Sequence, residues 1–173
     1  MKNNVNWIYK VFLLAFIFSV IFSSVSTMIS DTLPVAILPI IILIVISIGI
    51  IFDMIGVAVL SANEANLHAK ASNKLKGSKE AISLLKNKTQ VSSICNDVIG
   101  DICGIVSGSL GTVLTLYLVN KLGLSSTITT VIVTAVVSSL TVGFKAVFKT
   151  VATNKCDEIV FIVGKIKNFL HIK

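Results

Sequence analysis

The chain alternates between long apolar runs and short polar stretches that are rich in lysine. A helix needs roughly 20 mostly apolar residues to cross the hydrocarbon core of a bilayer. Four runs approach or exceed this length, at 11–28, 35–60, 91–119 and 127–148. The pattern therefore predicts an all-α integral membrane protein with about four transmembrane helices.

The first apolar run has two interpretations. Lys2 and Lys10 precede it and small residues such as Ser24 and Ser26 end it, which is also the order of a secretory signal peptide. We favour a retained helix because the cleavage signal is poor. Residues 1–34 are therefore predicted to form an N-terminal transmembrane helix, with a signal anchor as its alternative role.

Two further segments have the apolar spacing of amphipathic helices. Residues 66–88 place leucine and isoleucine at helical spacing among lysines, and Gly77 divides the segment into two short helices. This pattern predicts a helical hairpin at the membrane surface. Residues 154–173 predict an interfacial helix that lies on the bilayer. The apolar stripe of this last helix consists of Ile159, Ile162, Val163, Ile166, Phe169 and Leu170.

Composition agrees with the membrane interpretation and charge adds an orientation. Hydrophobic residues make up 54% of the chain and charged residues only 13%, against about 25% in soluble domains. All fifteen basic residues are lysines, and most lie in 70–88 and 145–173. This placement indicates contact with membrane lipid rather than with nucleic acid, which needs a soluble domain with a basic face. The positive-inside rule then predicts a multi-pass protein of the cell membrane with both termini in the cytoplasm.

The sequence gives little support to an enzyme. It contains no nucleophile elbow, P-loop or HExxH motif. Cys95 and Cys103 are eight residues apart in one predicted helix, about 12 Å along its axis, which is too far for a disulfide. With Cys156 they form no zinc motif, so we interpret all three as packing residues.

Several polar groups fall inside or at the ends of the apolar runs, where each is a functional candidate because it is costly in lipid. Most offer oxygen atoms, the ligands that Mg²⁺ prefers. The alternative is an internal ion-pair network in which Lys145 neutralises a carboxylate of Asp97, Asp101 or Glu64. The full set is Asp53, Ser61, Asn63, Glu64, Asn96, Asp97, Asp101 and Lys145.

Glycines recur every four residues in the third apolar run. Gly100, Gly104 and Gly108 share one helix face, and small residues at this spacing let helix backbones approach closely in lipid. This face has two uses that the sequence does not separate. It joins two copies of the chain in a homodimer, or it packs helices within one chain.

Four segments resemble motifs of the CorB/CorC/CNNM transmembrane domain. Residues 60–67, Leu-Ser-Ala-Asn-Glu-Ala-Asn-Leu, are similar to the family's S-x-S-E-x-A-L segment. Residues 84–88 and then Asn96-Asp97 take the places of L-L-x-N-P and of the asparagines in G-N-N-x-x-N. Residues 144–152 take the place of G-E-x-x-P-K-x-x-A. The resemblance covers roughly residues 38–153, and we place a domain of this type at 35–153.

The resemblance implies transport of magnesium, cobalt or other divalent cations, with Mg²⁺ as a bound or transported ion and no other cofactor. The implied cation ligands are Ser61, Asn63, Asn96 and Asp97. Lys145 departs from the pattern because it stands at the family's glutamate position, where its ammonium group repels a divalent cation. The nucleotide-binding CBS domains of the family have no counterpart in this sequence.

Two hypotheses follow, and Lys145 distinguishes them. The first is a divalent-cation transport protein. The second is a non-transporting structural or regulatory membrane protein of the same fold, whose cation site is filled by Lys145. Pairing of Lys145 with Asp97 or Asp101 favours the second hypothesis, whereas a side chain that reaches the cytoplasmic interface favours the first.

Overall fold

Helices make up every regular element of the described residues, which in this computed structural model are Tyr9, 11–21, 23–24, Met28 and 34–170. A 3₁₀ turn at Val35–Ile37 precedes α2, and a π-helical segment at Ile94–Gly100 joins α5 to α6. The eight α-helices are α1 Val11–Ile21, α2 Leu38–Ser61, α3 Glu64–Ser72, α4 Ser78–Lys86, α5 Lys88–Ser93, α6 Asp101–Leu122, α7 Ser126–Asn154 and α8 Cys156–Phe169. The predicted all-α class is confirmed for this part of the chain.

Three helices are long and apolar enough to cross a membrane. They are Leu38–Ser61, the continuous 35-residue helix Lys88–Leu122, and Ser126–Asn154, with hydropathies of 2.9, 1.9 and 2.0. They correspond to the second, third and fourth predicted spans. Helix α1 covers 11 residues of the first predicted span, which runs from 11 to 28. Phe22 and residues 25–27 of that span lie outside the described residues. The count of four spans stays a prediction.

Helix α7 is rich in β-branched residues, and many of its hydroxyl groups are satisfied within the helix itself. Five threonine hydroxyls of the helix donate to the backbone carbonyl four residues earlier, so these hydroxyls need no partner from outside the helix. Such internal bonding suits a lipid environment, which supplies no water. The donors are Thr129, Thr130, Thr141, Thr150 and Thr153.

The chain divides into two compact units, of which the first comprises residues 1–50 and 98–144. Its core is formed by two stripes of aliphatic side chains, to which every fourth residue contributes. Each stripe forms a ridge along its helix, and ridges of this spacing pack into the grooves of the facing helix. One α2 glycine, Gly49, allows close approach, because a Cβ there would lie 2.8 Å from Cys103 Cβ. The stripes are Leu38, Ile42, Ile46 and Ile50 of α2, and Val98, Ile102, Val106 and Leu110.

The second unit comprises residues 51–97 and 145–173. Its core gathers small and aliphatic side chains from five helices, namely Ala58, Val59, Leu67, Ala81, Leu85, Ala152 and Val160. Gly77 divides α3 from α4, as the sequence predicts, and has a φ of +90° that favours glycine. The predicted helical hairpin is therefore present as α3–α4, and its place at the membrane surface stays a prediction.

Helix α8 packs against the hairpin along a face centred on residues outside the predicted stripe, although Ile159 of that stripe also packs on the core of the unit. Val160 and Gly164 are its buried residues, and Gly164 lies against the backbone of α4 near Ala81. Ile162 and Ile166 of the predicted stripe remain more than half exposed. The helix is amphipathic as predicted, but one face packs on protein and the other stays open.

Candidate functional site

Asp53 is a buried carboxylate inside the apolar helix α2. The residue is only 4% exposed. Eight residues separate it from Ser61 at the end of the helix, which is about 12 Å of helical rise. A carboxylate at this depth needs a partner, because an isolated charge in a low-dielectric environment is costly.

Two lysines of α7 supply that partner. Lys145 Nζ lies 3.7 Å from Oδ1 of Asp53, and Lys149 Nζ lies 3.4 Å from Oδ2. The two lysines are four residues apart, so they project from one face of α7. The side chain of Lys145 is 21% exposed and that of Lys149 is 51% exposed. The cluster carries one negative and two positive charges, which leaves a net charge of +1.

Asn96 packs onto the same helix one turn further along. A Cβ on Gly56 would lie 2.7 Å from the Asn96 amide carbon, so only glycine leaves room for this side chain. Asn96 Nδ2 donates to Ser92 Oγ at 3.2 Å. Gly56 follows Asp53 by three residues and therefore lies on the same side of α2.

Two buried oxygen atoms in this region accept no hydrogen bond from the described residues. They are Oδ2 of Asp53 and Oδ1 of Asn96. Asn96 belongs to the π-helical segment, a distortion that often occurs at functional sites. Asp53 Oδ2 still has the ion-pair contact with Lys149 Nζ at 3.4 Å, so Asn96 Oδ1 is the acceptor without a partner among the described residues. An unsatisfied buried acceptor in a native protein calls for a water molecule, an ion or a specific role.

We expect Gly56→Ala to destabilise the protein by about 2 kcal/mol, because the added methyl group displaces Asn96 from a tightly packed contact. The loss of thermal stability in detergent measures this effect. Gly104→Ala is the matched control, since a Cβ at Gly104 meets nothing within 4 Å. Asn96→Ser should restore much of the loss in the Gly56→Ala background. Equal stability of the two glycine variants would contradict the close contact.

The predicted ligands Ser61 and Asn63 lie at the junction of α2 and α3. Ser61 is the last residue of α2 and is exposed. Asn63 is the N-cap of α3, where its Oδ1 accepts a hydrogen bond from the Ala65 backbone at 3.0 Å. The amide oxygen that a cation would need is therefore used to begin a helix.

The other two predicted ligands have separate surroundings. Asp97 is exposed and accepts a hydrogen bond from Ser93 Oγ at 2.7 Å, while Asn96 lies against Gly56. Within residues 34–170, no hydrogen bond or ion pair joins the Ser61–Asn63 pair to Asn96 or Asp97. The described residues also contain no group of three or more histidine, cysteine or acidic side chains that could hold a metal ion. The cation-ligand set stays a prediction.

Lys145 pairs with a carboxylate that the sequence analysis did not assign to it. Its partner is Asp53, rather than Asp97, Asp101 or Glu64. Glu64 instead lies 3.5 Å from Nε2 of His68. Asp53 was among the polar candidates, and it is the one carboxylate that the sequence of α2 contains. That fact and the spacing of Lys145 and Lys149 were the signals for this pairing.

Asp157 is a further polar residue that sequence reasoning missed. Its Oδ1 accepts from the backbone N–H of Asn63 at 2.8 Å, and its Oδ2 accepts from Asn66 Nδ2 at 2.6 Å. Asp157 lies in the first turn of α8, where a carboxylate is also favoured by the helix dipole. Asp157 therefore connects the start of α8 to the start of α3 through hydrogen bonds. The feature of the sequence that could have indicated this role was the acidic pair at 157–158.

No protein-family model, curated protein or solved structure matches this chain. The resemblance to the CorB/CorC/CNNM domain therefore rests on its sequence motifs alone and stays a prediction.

Proposed function

We propose that this chain is a multi-pass membrane protein that does not transport divalent cations, and that it serves as a structural or regulatory component of the membrane. In this proposal Lys145 takes the place of the cation. The observation that carries it is the pairing of Lys145 with the buried Asp53, at 3.7 Å, with Lys149 at 3.4 Å from the same carboxylate.

Electrostatics supports the exclusion of a divalent cation. A carboxylate attracts such an ion about as strongly as an ammonium group at the same distance repels it. One carboxylate and two ammonium groups therefore leave a net repulsion. Asp53 and most of Lys145 are shielded from water, which weakens dielectric screening of their charges, whereas the half-exposed Lys149 is screened more.

The proposed location is the cell membrane. The packing of unit two supports a topology in which the α3–α4 hairpin and α8 both lie on the cytoplasmic side. Because α8 packs on α4, the hairpin and the C-terminal helix share one side of the membrane. The two candidate spans that separate the hairpin from α8, Lys88–Leu122 and Ser126–Asn154, give the same result. Twelve of the fifteen lysines belong to this unit, so the positive-inside rule puts that side in the cytoplasm.

Divalent-cation transport is the second candidate, and one observation favours it. Asn96 Oδ1 and Asp53 Oδ2 are buried oxygen atoms that accept no hydrogen bond from the described residues. Oxygen atoms of these two types are ligands that Mg²⁺ prefers. Transport would require the ammonium groups of Lys145 and Lys149 to leave Asp53.

Isothermal titration of Mg²⁺ and of Co²⁺ into the detergent-purified protein separates the two candidates. We expect no saturable binding by the wild type. Lys145→Glu should gain binding, because it replaces the ammonium group with a second carboxylate beside Asp53. Lys121→Glu makes the same change of charge in unit one and should gain none.

Binding by the wild type would overturn the proposal if Asn96→Ala or Asp97→Ala abolished it, since the cation would then use the predicted ligands. Proteoliposome flux of Mg²⁺ provides the second readout. Flux above that of empty vesicles would establish transport.

A further inference from the structure

Two lysines converge on one aromatic ring in unit two. The Nζ atom of Lys70 lies 4.7 Å from the centre of the Phe161 ring, and that of Lys165 lies 4.6 Å from it. Lys70 belongs to α3 and Lys165 to α8. Across residues 34–170, no carboxylate lies within ion-pair distance of either ammonium group.

Packing brings these groups together. Phe161 and Lys165 are four residues apart on α8 and so share one face. The close contact of Gly164 with α4 places that face beside the hairpin, and Phe161 packs in part against the core of the unit. The ring orients the ammonium groups without neutralising them, because cation–π contacts at exposed sites contribute only about 0.5–1 kcal/mol. The cluster therefore retains two positive charges.

An exposed apolar surface continues from this cluster along α8. Ile162 is 55% exposed, Ile166 is 52% exposed and Phe169 is 82% exposed. Lysine head groups beside an open apolar face are typical of helices that lie in the interface of a bilayer. A soluble anion would use the charges but would leave this apolar face in water.

We propose that the Lys70–Phe161–Lys165 cluster binds the phosphate group of an anionic phospholipid, while the exposed apolar face of α8 inserts into the adjoining acyl layer. The phosphodiester oxygens of the lipid accept hydrogen bonds from both ammonium groups. Unit two favours an anionic partner overall, because it contains twelve lysines and six acidic residues. The proposal concerns a different surface from the Asp53 cluster and holds whether or not the chain transports cations.

The test is a binding titration of the full chain in neutral detergent with short-chain phosphatidylglycerol, phosphatidylcholine and inorganic phosphate. We expect phosphatidylglycerol to bind at least tenfold more tightly than the other two. Lys70→Gln with Lys165→Gln should weaken phosphatidylglycerol binding roughly 30-fold, which corresponds to about 1 kcal/mol for each lysine. Replacing both with arginine keeps the charges and should keep the affinity.

Lys121→Gln is the matched control, because Lys121 also lies over an aromatic ring, at 5.3 Å from that of Tyr117, but in unit one. It should leave the affinity unchanged. Equal binding of the two lipids, or unchanged binding by the double glutamine variant, would overturn the proposal. Inorganic phosphate that binds as tightly as phosphatidylglycerol would overturn the lipid assignment and leave a free-phosphate site.

Discussion

Asp53→Leu is expected to destabilise the protein by about 3–5 kcal/mol, the range for breaking one side of a buried ion pair. The cost arises because Lys145, with a side chain only 21% exposed, is left without its counter-charge. Lys149 is half exposed and can move its ammonium group toward water, so it contributes less. The fraction of protein that stays monodisperse after heating in detergent measures the loss.

Combining Asp53→Leu with Lys145→Met should recover most of this stability. A buried ion pair that is replaced by apolar residues of similar size often costs nothing, because the desolvation penalty of both charges disappears. Lys149→Gln is the control for an exposed partner, and we expect it to cost less than about 1 kcal/mol. A wild-type melting curve for Asp53→Leu alone would show that the ion pair does not stabilise the fold.

The same pair of variants bears on the proposed function. If the Asp53 cluster only stabilises the fold, the compensated double variant should behave like the wild type in every binding and flux assay. If Asp53 instead holds a cation, the double variant should be stable yet unable to bind one. The comparison therefore distinguishes a structural charge pair from a transport site. A single substitution would not make this distinction.

The helices could be predicted because length and hydropathy determine them locally. The helix α2 needs only its own apolar run, and the division of the hairpin needs only Gly77, whose backbone conformation favours glycine. The π-helical segment at Ile94–Gly100 is different. It coincides with the packing of Asn96 on Gly56, a contact between two distant parts of the sequence, so local periodicity does not reveal it.

The partner of Lys145 could not be derived from the sequence for a related reason. Pairing depends on which faces of α2 and α7 meet, and the rotation of each helix about its axis is set by tertiary packing. The sequence named Asp97, Asp101 and Glu64 as partners instead, and none of these belongs to α2. Sequence reasoning therefore named Asp53 and Lys145 as candidates but did not bring them together.

The packed face of α8 was missed because its central residue has no side chain. Hydrophobic periodicity counts isoleucine, valine and phenylalanine, so Gly164 carries no signal in such a pattern. In the structure this glycine lies so close to Gly77 and Ala81 that an added Cβ would collide with them. The apolar residues that do carry the signal, such as Ile162, remain exposed.

Gly164→Val is consequently expected to have the second large effect, a destabilisation of about 3 kcal/mol. A Cβ at this position would collide with the carbonyl oxygen of Gly77 and lie 2.8 Å from both the backbone nitrogen and the Cβ of Ala81. Backbone atoms cannot rotate away as a side-chain end can, so α8 must move off the hairpin. Hydrogen–deuterium exchange of α8 should rise, together with that of the α3 start that Asp157 holds.

Gly143→Val is the matched control, because a Cβ at Gly143 meets nothing within 4 Å, and its exchange and stability should stay near those of the wild type. Adding Ala81→Gly to Gly164→Val should recover only part of the loss, since the Gly77 carbonyl remains in the way. Displacement of α8 also separates Lys165 from Lys70, so Gly164→Val should weaken phosphatidylglycerol binding. Unchanged exchange in α8 would mean that the helix is not held against the hairpin by this contact, and the convergence of the two lysines would lose its physical cause.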